Sequence, residues 1–186
     1  MPRAPARQAA GKSCPQGVGQ SARDWGQVAG LVFGGFSGQA FSPLGDKGRF
    51  VLPPLFRSAV KESSDGRVLC LDKHPRFTCL VGFGLSRQLE LDAQLDREED
   101  RAGPDFDRDT RAAQLFGFAR IPFDDSGRFV LPDHLRMLAN IEDALFFQGG
   151  GRSFTIWNPA ELMKMDDAWA AAKAACAQFQ VEGKGK

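Results

Sequence analysis

The chain has 186 residues, of which 42% are hydrophobic and 10% aromatic, enough to fill the core of one ordinary domain or two small ones. Lys and Arg number 24 against 23 Asp and Glu, so a net charge of +1 excludes bulk positive charge as the basis for gripping a polyanion. No apolar run approaches the roughly 20 residues that span a bilayer, and no continuous apolar segment follows the N-terminal arginines, which predicts a soluble intracellular protein. Four cysteines without a C-x-x-C pair, and two histidines far apart in sequence, predict neither a zinc module nor a disulfide scaffold.

Residues 1–35 are rich in Ala, Gly, Gln, Pro and Arg without helical or strand periodicity, and are expected to form a flexible extension. The next segment, 36–83, opens with a strand at Gln39 to Ser42. A turn follows at Gly45-Asp46-Lys47-Gly48, then a strand at Arg49 to Leu52. Pro53 ends that strand and suits the opening of a short helix, Pro54 to Val60, because a missing N–H is tolerated in a first helical turn. Strands at Arg67 to Leu71 and Phe77 to Val81 complete the segment.

Residues 84–117 read as an acidic helical connector. Leu85, Leu89, Leu91 and Leu95 recur at near-helical spacing, and a second helix at Asp107 to Phe116 follows the break at Gly103-Pro104. The connector is expected to cover one edge of the sheet. The segment 118–157 then repeats the earlier pattern: strand Ala119 to Phe123, turn Asp124 to Gly127, strand Arg128 to Leu131, helix Asp133 to Asn140, and strands Ala144 to Gln148 and Ser153 to Trp157. In the last segment, 158–186, Asn158 as N-cap and Pro159 at the first helical position open an Ala-rich helix to about Phe179, followed by a tail.

The repetition is literal. Residues 46–57, Asp-Lys-Gly-Arg-Phe-Val-Leu-Pro-Pro-Leu-Phe-Arg, and 125–136, Asp-Ser-Gly-Arg-Phe-Val-Leu-Pro-Asp-His-Leu-Arg, agree at eight of twelve positions at an offset of 79. The chain is therefore a tandem duplication of a unit of about 75 to 80 residues. Two copies are too few for a solenoid, which favours similar halves packed about a pseudo-twofold axis. Charge is segregated as well. Residues 1–89 hold 12 basic and 5 acidic side chains, whereas 90–111 hold 4 basic and 9 acidic. A near-neutral chain can thus present a locally basic face, because screening confines each charge to about 10 Å.

These two strings, with Phe36-Ser37-Gly38 upstream and the closing Phe154-Thr155-Ile156-Trp157, resemble the duplicated motif of the bacterial MraZ family over roughly residues 36–165. The resemblance implies an α+β fold with a mainly β core. It would be a tandem-duplicated, AbrB/MazE-like swapped-hairpin (double-split) β-barrel with short helices and a C-terminal helix. It also implies a ring-like homo-oligomer, cytoplasmic and nucleoid-associated. Such a protein binds short direct repeats in double-stranded DNA upstream of the division and cell-wall gene cluster and regulates transcription, with repression, including of its own operon, the expected sign. No cofactor, metal, membrane or small-molecule substrate is expected.

The family motif tied to DNA contact, D-x-x-x-R, stands as Asp124 and Arg128 in the second copy. The first copy keeps Arg49 but has Gly45 where the Asp belongs, with Asp46 next door. The resemblance thus points to Lys47, Gly48, Arg49, Asp124, Gly127 and Arg128 as DNA-binding residues. The chemistry suits them: an Arg fork grips phosphate or the O6/N7 edge of guanine at two points, a neighbouring Asp holds the fork in one rotamer, and Gly allows close backbone approach. Taken without the repeat and the resemblance, Arg49 and Arg128 read more simply as solvated turn residues bridging to Asp46 and Asp125. Arg57 and Arg136 are secondary candidates for DNA contact, although the helix dipole is a sufficient reason for a cation at a helix end. Cys70 and Cys79 are expected as small buried hydrophobes, and His74 and His134 in surface or capping roles. The alternative function is an antitoxin-like protein-interaction module of the same barrel class. An enzyme is disfavoured by the lack of a coherent nucleophile and base, metal spacing or phosphate loop.

Overall fold

The fold was described from a computed structural model covering residues 35–64 and 66–184; the extension expected before residue 35 lies outside the described residues. The first copy folds as β1 (Gln39–Pro43), a helical turn at Asp46–Gly48, β2 (Arg49–Val51), α1 (Pro54–Ser64), β3 (Val68–Lys73) and β4 (Leu80–Phe83). The second copy repeats this as β5 (Ala119–Pro122), β6 (Arg128–Val130), α4 (Asp133–Leu138), β7 (Ala144–Gly149) and β8 (Phe154–Trp157). Between them lie α2 (Arg87–Ala102) and α3 (Arg108–Phe116), and after them α5 (Pro159–Met163), a short 3-10 turn at Asp167–Trp169 and α6 (Ala170–Lys184). Among the described residues no helix is long and apolar enough to cross a membrane.

Strand pairing interleaves the copies. A six-stranded sheet in the order β1-β7-β8-β4-β3-β5 is antiparallel at every step, and β2 and β6 form a separate antiparallel ribbon. The pairs β1–β7 and β5–β3 are equivalents exchanged between the copies, whereas β4–β8 and β2–β6 each join a strand to its own counterpart. Each copy alone would leave its first strand unpaired, so exchange satisfies the backbone groups of both.

Alternation along the strands makes three apolar clusters, one on one face of the sheet and two on the other. One sheet face sends Leu69, Leu71, Leu80, Ile121, Leu145, Phe147, Phe154 and Ile156 into a core shared with Phe50, Leu52, Phe129 and Leu131 of the motif strands and Phe56, Val60 and Leu135 of the short helices. Under the C-terminal helices, Phe146 and Trp157 of the other face pack with Leu162, Ala172 and Cys176. Over the β3–β4 half of that face, Cys70 and Phe83 pack against Leu91 of α2 and Phe118. The connector therefore lies on a face of the sheet rather than along its edge, because the residues it must cover alternate outward from two interior strands. Leu89 departs from the expected stripe and is 79% exposed, since the helix begins at Arg87 and turns Leu91 and Leu95 inward instead.

Boundaries shift where side chains compete for the backbone. Strand β4 starts three residues later than expected because His74 Nδ1 accepts from the amides of Arg76 and Phe77, both at 3.1 Å, and holds that stretch as a loop. Phe77 anchors the loop by stacking on His74 and meeting Trp157 and Trp169. Helix α1 runs past Val60. Ser63 Oγ donates to the Ala59 carbonyl at 2.7 Å, and Ser64 Oγ donates to the Val68 carbonyl at 2.7 Å while accepting from Leu85 N at 3.0 Å. The C-terminal helix expected from Asn158 to Phe179 is interrupted because Asp166 caps a new turn, accepting from Ala168 N at 3.1 Å. Asn158 does cap α5, accepting from Ala160 N at 3.1 Å with Pro159 at the first position. Burial pushes the thiols of Cys70, Cys79 and Cys176 up to about 11, 12 and 11, so they pack as small hydrophobes.

The α2–α3 hairpin is held by charge. Arg108 meets Asp96 and Glu99, and Arg111 meets Glu98 at 2.5 Å. Hydrogen bonds from Arg111 and Gln94 hold the Glu98 carboxyl down at about 2, against 4.5 ordinarily. A carboxylate depressed in the folded state stabilises fully above its unfolded pKa, and that contribution fades as pH falls through the folded value. Wild-type melting temperature should thus fall between about pH 4.5 and about pH 2, and Glu98→Gln should flatten that limb in thermal melts at stepped pH.

Candidate nucleic-acid interface

The ribbon of β2 and β6 pairs Arg49 with Val130, Phe50 with Phe129 and Val51 with Arg128. Phe50 and Phe129 turn into the core, their ring centroids 6.2 Å apart. By the period of two, Arg49, Val51, Arg128 and Val130 all lie on the opposite face. Arg49 and Arg128 are diagonal neighbours there, a relation that puts residues about 7–8 Å apart. The duplication thus brings 79-residue-distant arginines onto one small platform, flanked by the two turns.

The second turn is built around Asp124. Its Oδ1 accepts from the amides of Ser126 and Arg128, both at 2.9 Å, and its Oδ2 lies 3.6 Å from Arg128 Nη1. The Arg128 amide bond, then the Ser126 bond and the charges of Arg128 and Arg49, hold the Asp124 carboxyl below its usual range. Gly127 closes the turn at φ 83°, and Leu52 N donates to its carbonyl at 2.7 Å. A Cβ at Gly127 would sit 2.7 Å from the Leu52 carbonyl oxygen, so both the conformation and the space require glycine.

The first turn has the same backbone closure, with Gly45 N donating to Arg49 O at 2.8 Å as Asp124 N does to Arg128 O at 3.0 Å. Gly45 has no carboxylate to tie down the following amides, and the chain takes a different path: Lys47 enters the left-handed region at φ 61°, followed by Gly48 at φ 69°. Lys47 is exposed, Arg49 is half-buried, and the buried Nε of Arg49 has no hydrogen-bond partner among the described residues. The bridges to Asp46 and Asp125 that an isolated turn suggests do not form. Arg128 meets Asp124, and Asp125 meets Arg67 at 2.6 Å.

Of the secondary candidates, Arg57 stands in the first turn of α1, where the dipole disfavours a cation, so the helix-end explanation fails for it. Its Nη1 donates instead to the Asp125 carbonyl at 3.1 Å. Arg136 does stand in the last turn of α4, donates to the Glu142 carbonyl at 2.6 Å, and lies over the Phe50 ring at 5.9 Å. Sequence reasoning missed Arg67, and also Ser42, whose buried Oγ accepts from Val51 N at 2.9 Å and ties down the C-terminal end of β2. Ser42 has Ile121 as its counterpart, so the repeat gave no signal for it.

Gly45 sits at φ −97°, ψ −170°, an extended conformation open to aspartate, and a Cβ there would be 3.3 Å from Arg49 O, a contact relieved by a small shift. Gly45→Asp should therefore cap the first turn as Asp124 caps the second and raise stability by about 1 kcal/mol, measured by chemical denaturation.

No family model matches the chain. Curated relatives do. The transcriptional regulator MraZ of Parvibaculum lavamentivorans is 33% identical over 125 residues, covering 67% of this chain and 76% of the relative. The protein of the same name from Gluconobacter oxydans is 33% identical over 117 residues, covering 61% of this chain and 69% of the relative. That of a Roseiflexus species is 31% identical over 149 residues, covering 79% and 97% respectively. With a third of residues shared across two thirds of the chain and three quarters of the relative, the chain belongs to the MraZ family.

Proposed function

We propose that this protein is a DNA-binding transcription regulator that grips duplex DNA with the outer face of the β2–β6 ribbon. The observation that carries this reading is the placement of Arg49 and Arg128 as diagonal neighbours on one outward face of the ribbon, with Asp124 beside the second fork. Arg128, pre-aligned by its carboxylate, loses less rotamer freedom on binding and is suited to bidentate contact with guanine. Arg49, half-buried on the same face, offers a second permanently charged guanidinium to a phosphate or base edge. Lys47 supplies a point charge at the rim, and the backbone at Gly48 and Gly127 allows close approach to phosphate.

In the same reading the interleaved strands form the swapped-hairpin barrel, and identical chains assemble into a ring in the cytoplasm, associated with the nucleoid. The ring engages short direct repeats upstream of the division and cell-wall genes, its own operon included, and represses them. Several weak half-sites held at once supply affinity that a single ribbon lacks. A gel-shift titration against DNA upstream of the protein's own gene, with scrambled repeats as control, tests it, alongside light scattering for the assembly. Binding that ignores the scramble, or a monomer that binds as tightly as the assembly, would overturn the corresponding part.

A further inference from the structure

The two turns on the platform are unequal in support, and the inequality crosses from one copy to the other. Among the described residues no side-chain hydrogen bond or ion pair reaches Gly45–Gly48 from outside. The Asp124–Gly127 turn receives two arginines of the first copy: Arg57 Nη1 donates to the Asp125 carbonyl at 3.1 Å, and Arg67 Nη1 lies 2.6 Å from the Asp125 carboxylate. Arg57 also packs on the back of the turn, its Cδ and Nη1 only 3.1 and 3.2 Å from where a Cβ of Gly127 would be. The counterpart of Arg57, Arg136, lies over the Phe50 ring but, among the described residues, donates no hydrogen bond to the first turn, being engaged at the Glu142 carbonyl.

We propose that Arg57 and Arg67 are positioning residues that brace the Asp124–Gly127 turn, making the second copy the pre-organised reader and leaving the first an adaptable one. This rests on the DNA-binding reading of the same ribbon. Arg67 and Asp125 are largely exposed, with 48% and 86% of their side-chain surface accessible, and an ion pair so solvated adds little to global stability. Its effect is local. It limits the conformations of a turn whose Asp124 carboxylate must stay on two amides for Arg128 to keep its rotamer. The guanidinium of Arg57 is engaged by a backbone carbonyl behind the turn, which sets it apart from Arg49, which lies on the outer face of the ribbon.

The test uses the full-length protein as wild type, Arg57→Ala and Arg67→Ala. Without DNA, amide hydrogen exchange at Ser126, Gly127 and Arg128 should quicken in both variants, while exchange at Arg49 is unchanged and both unfold at the wild-type temperature. With duplex from upstream of the protein's own gene, each variant should bind roughly tenfold more weakly at an unchanged salt slope, because no phosphate contact has been removed. In an Arg128→Ala background the Arg57→Ala loss should vanish. Unchanged exchange at the second turn would overturn the bracing outright. A salt slope reduced by about one, with losses that multiply, would make Arg57 a direct phosphate contact and also overturn it. Wild-type protein that does not distinguish the upstream duplex from its scramble would sink the DNA-binding reading instead, and the exchange measurement would still decide the bracing.

Discussion

Replacing Arg128 by alanine is expected to weaken binding to the upstream duplex by about 5- to 150-fold, the range set by losing one bidentate base contact worth about 1–3 kcal/mol. The fold should survive, because Arg128 projects from the solvent face of a ribbon anchored on the other side by Phe50 and Phe129. Arg49→Ala should cost less, since no carboxylate of its own copy pre-aligns that fork. The two substitutions together should approach the affinity for unrelated sequence. They should also lower the salt slope by about one for each phosphate contact removed. Fluorescence anisotropy at several salt concentrations, with thermal melts as the folding control, separates these terms. Wild-type affinity in the double variant would remove the ribbon from the DNA-binding surface altogether.

Phe154→Ala should be the most disruptive of the substitutions considered for the fold. The ring is fully buried on the inner face of β8, with centroids 4.8 Å from Phe36, 5.0 Å from Phe56 and 6.2 Å from Phe147. Deleting such a ring costs about 3–5 kcal/mol, as lost transfer energy and as a cavity that the surrounding strands cannot collapse to fill. That corresponds to a melting temperature lower by roughly 10 °C in a chain of this size. The same ring explains why position 82 is glycine. Gly82 pairs with Phe154 across β4 and β8, and a Cβ there would lie 2.4 Å from the ring. Gly82→Ala alone should cost about 1–3 kcal/mol through overpacking. Combined with Phe154→Leu it should cost less than the two singles together, because the smaller side chain makes room. Strict additivity in urea denaturation would show that the ring does not occupy that space.

The repeat unit was legible in the sequence because its signals are local. Pro53 and Pro132 close a strand and open a helix, Asp and Gly mark the preceding turns, and Phe-Val-Leu reads as extended. The candidate arginines were legible for the same reason, since Arg49 and Arg128 hold the same place in two copies of one string. The end of α1 was less so. Lys61-Glu62-Ser63-Ser64 has no apolar periodicity, and that turn stays helical through serine hydroxyls, one of them tied to Val68 and Leu85 beyond the helix. Leu89 looked like part of an inward stripe because spacing alone does not set the phase of a helix against its neighbour.

By itself the sequence determined that the chain is a duplication, what each copy contains, and which polar residues the turns present. Only the tertiary structure decided that β1 pairs with β7 and β3 with β5, so that the copies share one sheet, and that α2 covers its face. It also decided that Arg57 and Arg67 of one copy support the turn of the other, while Arg136 is drawn to Glu142. The division has a physical cause. Turn and strand preferences are set by a residue and its near neighbours, whereas partner choice depends on which distant backbone groups and apolar faces can be satisfied together. Two nearly identical strings carry no local mark of which strand each will meet.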